Sequence, residues 1–262
     1  MRGIDPMIGG IPAGRRRGVF AVVLAAALIW TSAGCSDGPD VAVEPVGPPG
    51  STPAVSAAPR ADPVISRIGD TQWAQLVDTG TWRPGCPVGR RGLRRLDVNH
   101  IDFEGNVVRG SLIAHRDSVQ DLAEVLTALF DAGFPIERIE PVELYEGDVN
   151  LSLGANNTSA FNCRRPEQIN APVRDSPHAN GRAIDINPYQ NPWQDLRCEC
   201  WVPSADYGTQ REGRGVITRG SLPWQEFTDR EWIWQNIKVA DYMHFDTGYP
   251  SRARRASKDR QA

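Results

Sequence analysis

Apolar and polar positions change texture three times along the chain. Val19–Trp30 is an unbroken apolar run of twelve residues. That is shorter than the roughly 20 a relaxed membrane-spanning helix needs, but it suits the core of a signal peptide. Residues 36–66 show neither a helical nor a strand period and are dominated by Pro, Gly, Ser and Ala. Such a segment buries too little apolar surface to offset the entropy of ordering it, and it reads as a tether. From residue 67 the pattern becomes regular. Leu93–Phe103 and Val107–His115 read as two strands around the turn triplet Glu104-Gly105-Asn106. Val119, Leu122, Leu126 and Leu129 recur at spacings of three and four. They predict a helix capped by Asp117 or Ser118 and ended by Gly133 before Pro135. Ile136–Tyr145 reads as a further strand, and no internal repeat is visible. The order predicts an α+β fold: a small antiparallel sheet with helices packed on one side, over residues 67–250.

Charge sharpens the picture at both ends. Arg15-Arg16-Arg17 precedes the apolar run, and Ser32-Ala33-Gly34-Cys35 follows it. This resembles a bacterial lipobox, with Ser32 where leucine is usual, and predicts a signal peptide over 1–34 and a lipidated Cys35. An uncleaved anchor or a simple secreted product are the alternatives. The expected placement is export, with the chain anchored by lipid to the outer face of the cytoplasmic membrane. The formal net charge is −3, and removing residues before Cys35 takes away four arginines and one acid. The remaining acidic balance excludes the basic face that nucleic-acid binding needs. Residues 251–262 carry Arg252, Arg254 and Arg255 and read as a basic, solvated tail. Nothing in the sequence indicates an oligomeric state.

Cys86, Cys163, Cys198 and Cys200 remain after Cys35. In an oxidising compartment disulfides are the default, and no Cys-x-x-Cys knuckle suggests a zinc site instead. Pairing Cys198 with Cys200 closes a very tight ring. The expectation is therefore that Cys86 and Cys163 each bond to one member of that pair.

The chemistry is concentrated in two stretches. Ser176-Pro177-His178-Ala179-Asn180-Gly181-Arg182-Ala183-Ile184-Asp185 is one, and Asp241-Tyr242-Met243-His244 is the other. A catalytic zinc takes three His or carboxylate ligands and keeps one position open. His178, Asp185 and His244 can supply that set. Gly181 allows a sharp turn after His178. Ala183–Ile186 then reads as a strand that aims Asp185 at a site and its two isoleucines at the core. Asp241 and His244 are three apart, so a loop leading into a strand near Met243 is needed to bring both to one side. Asp241 would then stand beside the ion as the base for an attacking water. His100 and His115 match no motif and are assigned no role. The five tryptophans Trp193, Trp201, Trp224, Trp232 and Trp234 read as core or cleft wall.

These residues resemble the zinc D-alanyl-D-alanine carboxypeptidases and L-alanyl-D-glutamate endopeptidases, whose fold is shared with the Hedgehog signalling domain. The family pattern Ser-x-His-x-x-Gly-x-Ala-x-Asp, then acid-x-x-His, is met at Ser176, His178, Gly181, Ala183, Asp185, Asp241 and His244. Asn156–Arg164 and Asn187-Pro188 are similar to one branch of that family. The resemblance spans residues 85–248. It implies one zinc ion, peptidoglycan stem peptides as substrate and amide hydrolysis as the reaction. It also implies that Arg164 binds the substrate carboxylate or the developing oxyanion, and that Ser176 hydrogen-bonds the substrate or a ligand. The rival class is a zinc-holding, wall-binding module of the same fold without turnover.

Overall fold

A computed structural model describes residues 58–168 and 173–250. The leader 1–34, Cys35, the tether to residue 57 and the tail 251–262 lie outside the described residues. The first half contains β1 (Val64–Arg67), α1 (Asp70–Asp78), β2 (Leu93–Ile101), β3 (Val107–His115), α2 (Val119–Asp131), β4 (Arg138–Ile139), α3 (Val149–Gly154) and β5 (Asn157–Thr158). Then follow β6 (Ala183–Asp185), β7 (Trp193–Asp195), β8 (Cys200–Val202), α4 (Leu222–Thr228), β9 (Ile233–Trp234) and β10 (His244–Asp246). Two three-stranded antiparallel sheets carry the fold, in the orders β1-β2-β3 and β6-β10-β9. The architecture is the expected α+β type. Among the described residues no helix is long and apolar enough to cross a membrane.

The predicted hairpin and helix build one core. The β2–β3 register sets Leu96 opposite Leu112 and Arg94 opposite Ala114. Leu96, Val98, Leu112 and Ala114 thereby share a face, and they join Leu122, Val125, Leu126 and Leu129 of α2 in one buried cluster. Full burial of each such leucine contributes about 1.5–3 kcal/mol, which outweighs any intrinsic helix preference. Gly133 closes α2 with φ +69, and the Phe134 N–H returns to the Leu129 carbonyl at 2.9 Å. Phe227 of α4, Ile184, Ile186 and Phe245 belong to the same cluster, so the second sheet is anchored to this core. A smaller cluster around Leu76 of α1, Leu93 and Ile113 covers the end of the other face.

Three local expectations are corrected. The fold starts before residue 67: β1 pairs with β2, and Ala61 is 2% exposed with its carbonyl accepting the Asn99 N–H. Val64 and Ile65 remain exposed, so backbone pairing holds this strand and no hydrophobic alternation marks it. Ile136–Tyr145 is not one strand. Only Arg138–Ile139 pairs, in parallel with β5, and Val142–Tyr145 forms a 3-10 turn behind Pro141. Proline fixes its own φ and has no N–H for a ladder.

The disulfides are Cys86–Cys163 and Cys198–Cys200, not cross-pairs between the two sets. Cys163 is fully buried, with its Cα 6.0 Å from that of Cys86. Cys198 sits in the exposed turn joining β7 to β8, and Cys200 is the exposed first residue of β8. Glu199 between them adopts φ +52, which folds the chain back and brings the two Cα atoms to 5.1 Å.

His115 closes β3 and is 8% exposed, with Nδ1 accepting the Asp117 N–H at 3.2 Å. Burial, then the Arg182 guanidinium, lowers its pKa from 6.5 to about 4, against the opposing pull of Asp117. An unfolded histidine titrates near ~6.5. Between those values the unfolded chain holds the extra proton, so folding stability falls as pH drops through that window. Relative to His115→Gln, the wild-type urea midpoint is expected to lose more between pH 7 and pH 5. Parallel slopes in both proteins would remove His115 as the cause.

Candidate metal centre

The pairing of β6 with β10 sets His244 directly opposite Asp185, and Asp246 opposite Ala183. Residues opposed in an antiparallel pair project from the same face, with Cβ atoms about 4.5–5.5 Å apart. Two donors from distant parts of the chain are thus brought together by register alone. Ile184 and Ile186 alternate to the other face and are fully buried in the core.

His178 comes from the turn that leads into β6. Gly181 in that turn has φ +66, and its N–H returns to the His178 carbonyl at 2.9 Å. A Cβ at Gly181 would lie 2.8 Å from the His115 nitrogen, so glycine is required on both counts. The Gly181 carbonyl accepts the His115 N–H at 2.7 Å and the Ser118 hydroxyl at 2.9 Å. Ser118 occupies the N-cap of α2 as expected, yet its side chain is spent on this turn and not on a helix N–H.

The three donors converge closely. His178 Nε2 lies 3.1 Å from His244 Nδ1 and 3.2 Å from Asp185 Oδ1, and His244 Nδ1 lies 3.1 Å from Asp185 Oδ1. Metal–ligand distances of about 2.0–2.2 Å in a tetrahedral zinc site imply ligand spacings of about 3.3 Å. The tautomers are fixed from behind. His178 Nδ1–H donates to the Ala160 carbonyl at 2.7 Å, a group that can only accept. His244 Nε2–H donates to Asp246 Oδ2 at 3.0 Å. Asp246 is 1% exposed, and its other oxygen accepts from Asn236 Nδ2 and the Gly248 N–H. In its neutral form each imidazole therefore turns a lone pair toward Asp185; without an ion the carboxylate instead draws a proton onto His244 Nδ1. A single proton can bridge only one pair of these atoms at a time, whereas a divalent cation meets all three. The donor set fits a zinc-type centre with outer partners that orient each imidazole.

The charges agree. Burial alone would raise the Asp185 pKa, but His178 and His244 overcome it and hold the carboxyl well below the usual range. Burial would lower His244, but hydrogen bonds to Asp185 and Asp246 hold it well above an ordinary histidine. Asp241 sits in the loop before β10, with its carbonyl accepting the His244 N–H at 3.3 Å. It is not one of the three converging groups. Burial pushes its carboxyl up to about 6, helped by Asp185 and opposed by His244.

Arg164 and Arg165, adjacent in sequence, are separated by the structure. Arg165 turns away to Asp148 and Glu167, at 3.8 and 3.1 Å. Arg164 lies near enough to the centre for the charges of Asp185 and Asp241 to act on it. Burial lowers its guanidinium pKa, and Asp185 and Asp241 raise it again. Its Nε is buried without a hydrogen-bond partner among the described residues. Ser176 Oγ accepts the Ala179 N–H at 3.3 Å, and the Ser176 carbonyl accepts the Asn180 N–H at 3.1 Å. Its visible work is to shape the turn that carries His178.

The β7–β8 hairpin and the loop after it brace the Asp241 segment. Trp201 stacks on Tyr242 at 5.5 Å between ring centroids, and the Arg211 guanidinium lies 3.9 Å from the Tyr242 ring. Gln194 N–H donates to the Ala240 carbonyl at 2.8 Å. Of the tryptophans, Trp232 is core and donates to Asp121, and Trp234 donates to the Tyr242 carbonyl. The sequence reading missed Asp246, although its signal was present: His244 and Asp246 are two apart on one strand and so share a face. The Ala160 carbonyl carries no side-chain signal at all.

No curated protein and no solved structure matches the chain. Residues 170–247, which hold all three converging donors together with Asp241, match the family model described as D-alanyl-D-alanine carboxypeptidase, and over that stretch the chain is similar to this peptidase family.

Proposed function

We propose that the chain is a zinc peptidase that hydrolyses amide bonds in peptidoglycan stem peptides. The bond is that cut by a D-alanyl-D-alanine carboxypeptidase or by an L-alanyl-D-glutamate-type endopeptidase. One observation carries this reading. Beside the converging His178, Asp185 and His244 stand a half-buried carboxylate outside the donor set, Asp241, and a half-buried guanidinium whose buried Nε has no hydrogen-bond partner among the described residues, Arg164. A module that only held metal would need neither.

His178, Asp185 and His244 would hold the ion, which supplies Lewis acidity toward the scissile carbonyl and the attacking water. Asp241 takes the proton from that water and returns it to the leaving amine; its raised pKa suits both directions. Arg164 holds a substrate carboxylate or the developing oxyanion through its planar fork of donors. Ser176, whose oxygen is engaged in the turn, offers its O–H to the substrate. The arginine-flanked apolar run, Cys35 and the tether support a lipid-anchored chain outside the cytoplasmic membrane, where this substrate is found.

The test uses the full chain in detergent, loaded with zinc and incubated with muropeptides, with products followed by mass spectrometry. Cleavage at one stem-peptide bond is expected, abolished by a chelator and restored by added zinc. Tight zinc binding with no cleavage of any stem-peptide bond would favour the silent wall-binding module.

A further inference from the structure

We propose that Asn162 is a positioning residue for Arg164, holding its guanidinium where it meets the terminal carboxylate of the substrate. The proposal rests on the peptidase reading above. Arg164 has φ +59, a backbone conformation that non-glycine residues rarely adopt and that persists only where its surroundings impose it. Asn162 imposes it. Asn162 is 4% exposed, and its Oδ1 accepts the Arg164 N–H at 2.8 Å, an Asx turn across Cys163. The other backbone contacts fix what Asn162 acts against. Arg83 Nε donates to the Arg164 carbonyl at 3.0 Å, the Cys163 N–H donates to the Thr81 carbonyl at 3.0 Å, and Cys163 is bonded to Cys86.

The same residue reaches the metal centre. The Asn162 N–H donates to the His178 carbonyl at 3.2 Å, so the substrate-facing arginine and a metal donor share one anchor. Among the described residues no hydrogen bond joins the Asn162 side chain to the three donor atoms or to Asp241, and its buried Nδ2 has no partner. Its effect on the reaction passes through Arg164, and it is therefore specific to substrates that present a carboxylate to that arginine.

The experiment compares two peptides on the zinc-loaded full chain: one ending in D-alanyl-D-alanine, and the same peptide with its C-terminus amidated. Asn162→Ala is expected to raise KM for the free acid about tenfold, to leave kcat within about twofold, and to leave KM for the amide unchanged, the signature of lost uniform binding. Combined with Arg164→Ala it adds no further loss, because the two act as one unit. Asn162→Ser keeps a weaker acceptor and shows a smaller KM rise; it serves where the alanine variant does not fold. Equal KM changes on both peptides, a loss confined to kcat, or additivity with Arg164→Ala overturns the proposal. If the wild type cleaves neither peptide, the peptidase reading fails by itself. Calorimetric binding of the two peptides then decides the role of Asn162 without turnover: weakened binding of the acid alone supports it, and unchanged binding overturns it.

Discussion

Asp241→Asn lowers kcat for stem-peptide cleavage by about a hundred- to ten-thousand-fold, the usual contribution of a positioned acid–base group, and leaves zinc content unchanged. The geometry separates the two effects. Asp241 lies outside the donor triangle, so its loss removes no ligand. Its backbone is held by main-chain contacts that asparagine preserves, including the His244 N–H to the Asp241 carbonyl at 3.3 Å. The amide is nearly isosteric but cannot accept a proton from water. The pH profile supplies a second readout. Burial pushes the metal-free carboxyl up to about 6, and the charge of a bound cation lowers it again. The base is competent only when ionised, so kcat/KM of the wild type rises with pH through a limb at or below that value. In Asp241→Asn this limb disappears with the bulk of the rate. Residual activity within tenfold of wild type, on an unshifted acid limb, would mean that another group takes the proton.

The parts of the centre that lie within one short stretch were legible because local geometry constrains them. Gly181 announces its positive φ, and Ala183-Ile184-Asp185-Ile186 announces which side chains face the core. Asp241 and His244 required a loop entering a strand, and the structure has β10 starting at His244. The opposition of His244 to Asp185 depends on a register between segments far apart in sequence, and no periodicity encodes it. Asn162 was hidden for a related reason: its role depends on the conformation of Arg164, which only the folded backbone reveals. The disulfide expectation failed on a general rule about short rings. Glu199 in a left-handed conformation on a hairpin turn supplies the local exception. The strand expected over Ile136–Tyr145 failed at Pro141, where a 3-10 turn replaced the ladder. The hydrophobic pattern was most informative where burial holds an element, as in α2, and least where backbone pairing does, as in β1.

His178→Ala is expected to remove turnover altogether, and the contrast with Asp246→Ala identifies the centre. Lewis acidity at a scissile carbonyl is worth several kcal/mol, so losing the ion costs at least about a thousandfold in rate. His178→Ala leaves two donors, Asp185 and His244, and no lone pair from the third side of the triangle. Excess zinc cannot replace an absent ligand. Asp246→Ala leaves all three donors in place but removes the carboxylate that accepts His244 Nε2–H at 3.0 Å. The ring is then free to carry its proton on Nδ1, the nitrogen that faces Asp185 at 3.1 Å. Loss of such an outer partner typically weakens metal affinity about 10–100-fold. Excess zinc therefore restores most of the activity of Asp246→Ala and none of that of His178→Ala. The two measurements are competitive zinc titration against a chromophoric chelator and turnover at saturating zinc. Wild-type zinc affinity in His178→Ala, or an Asp246→Ala variant that saturating zinc fails to rescue, would show that the ion is held elsewhere or that Asp246 acts in another way.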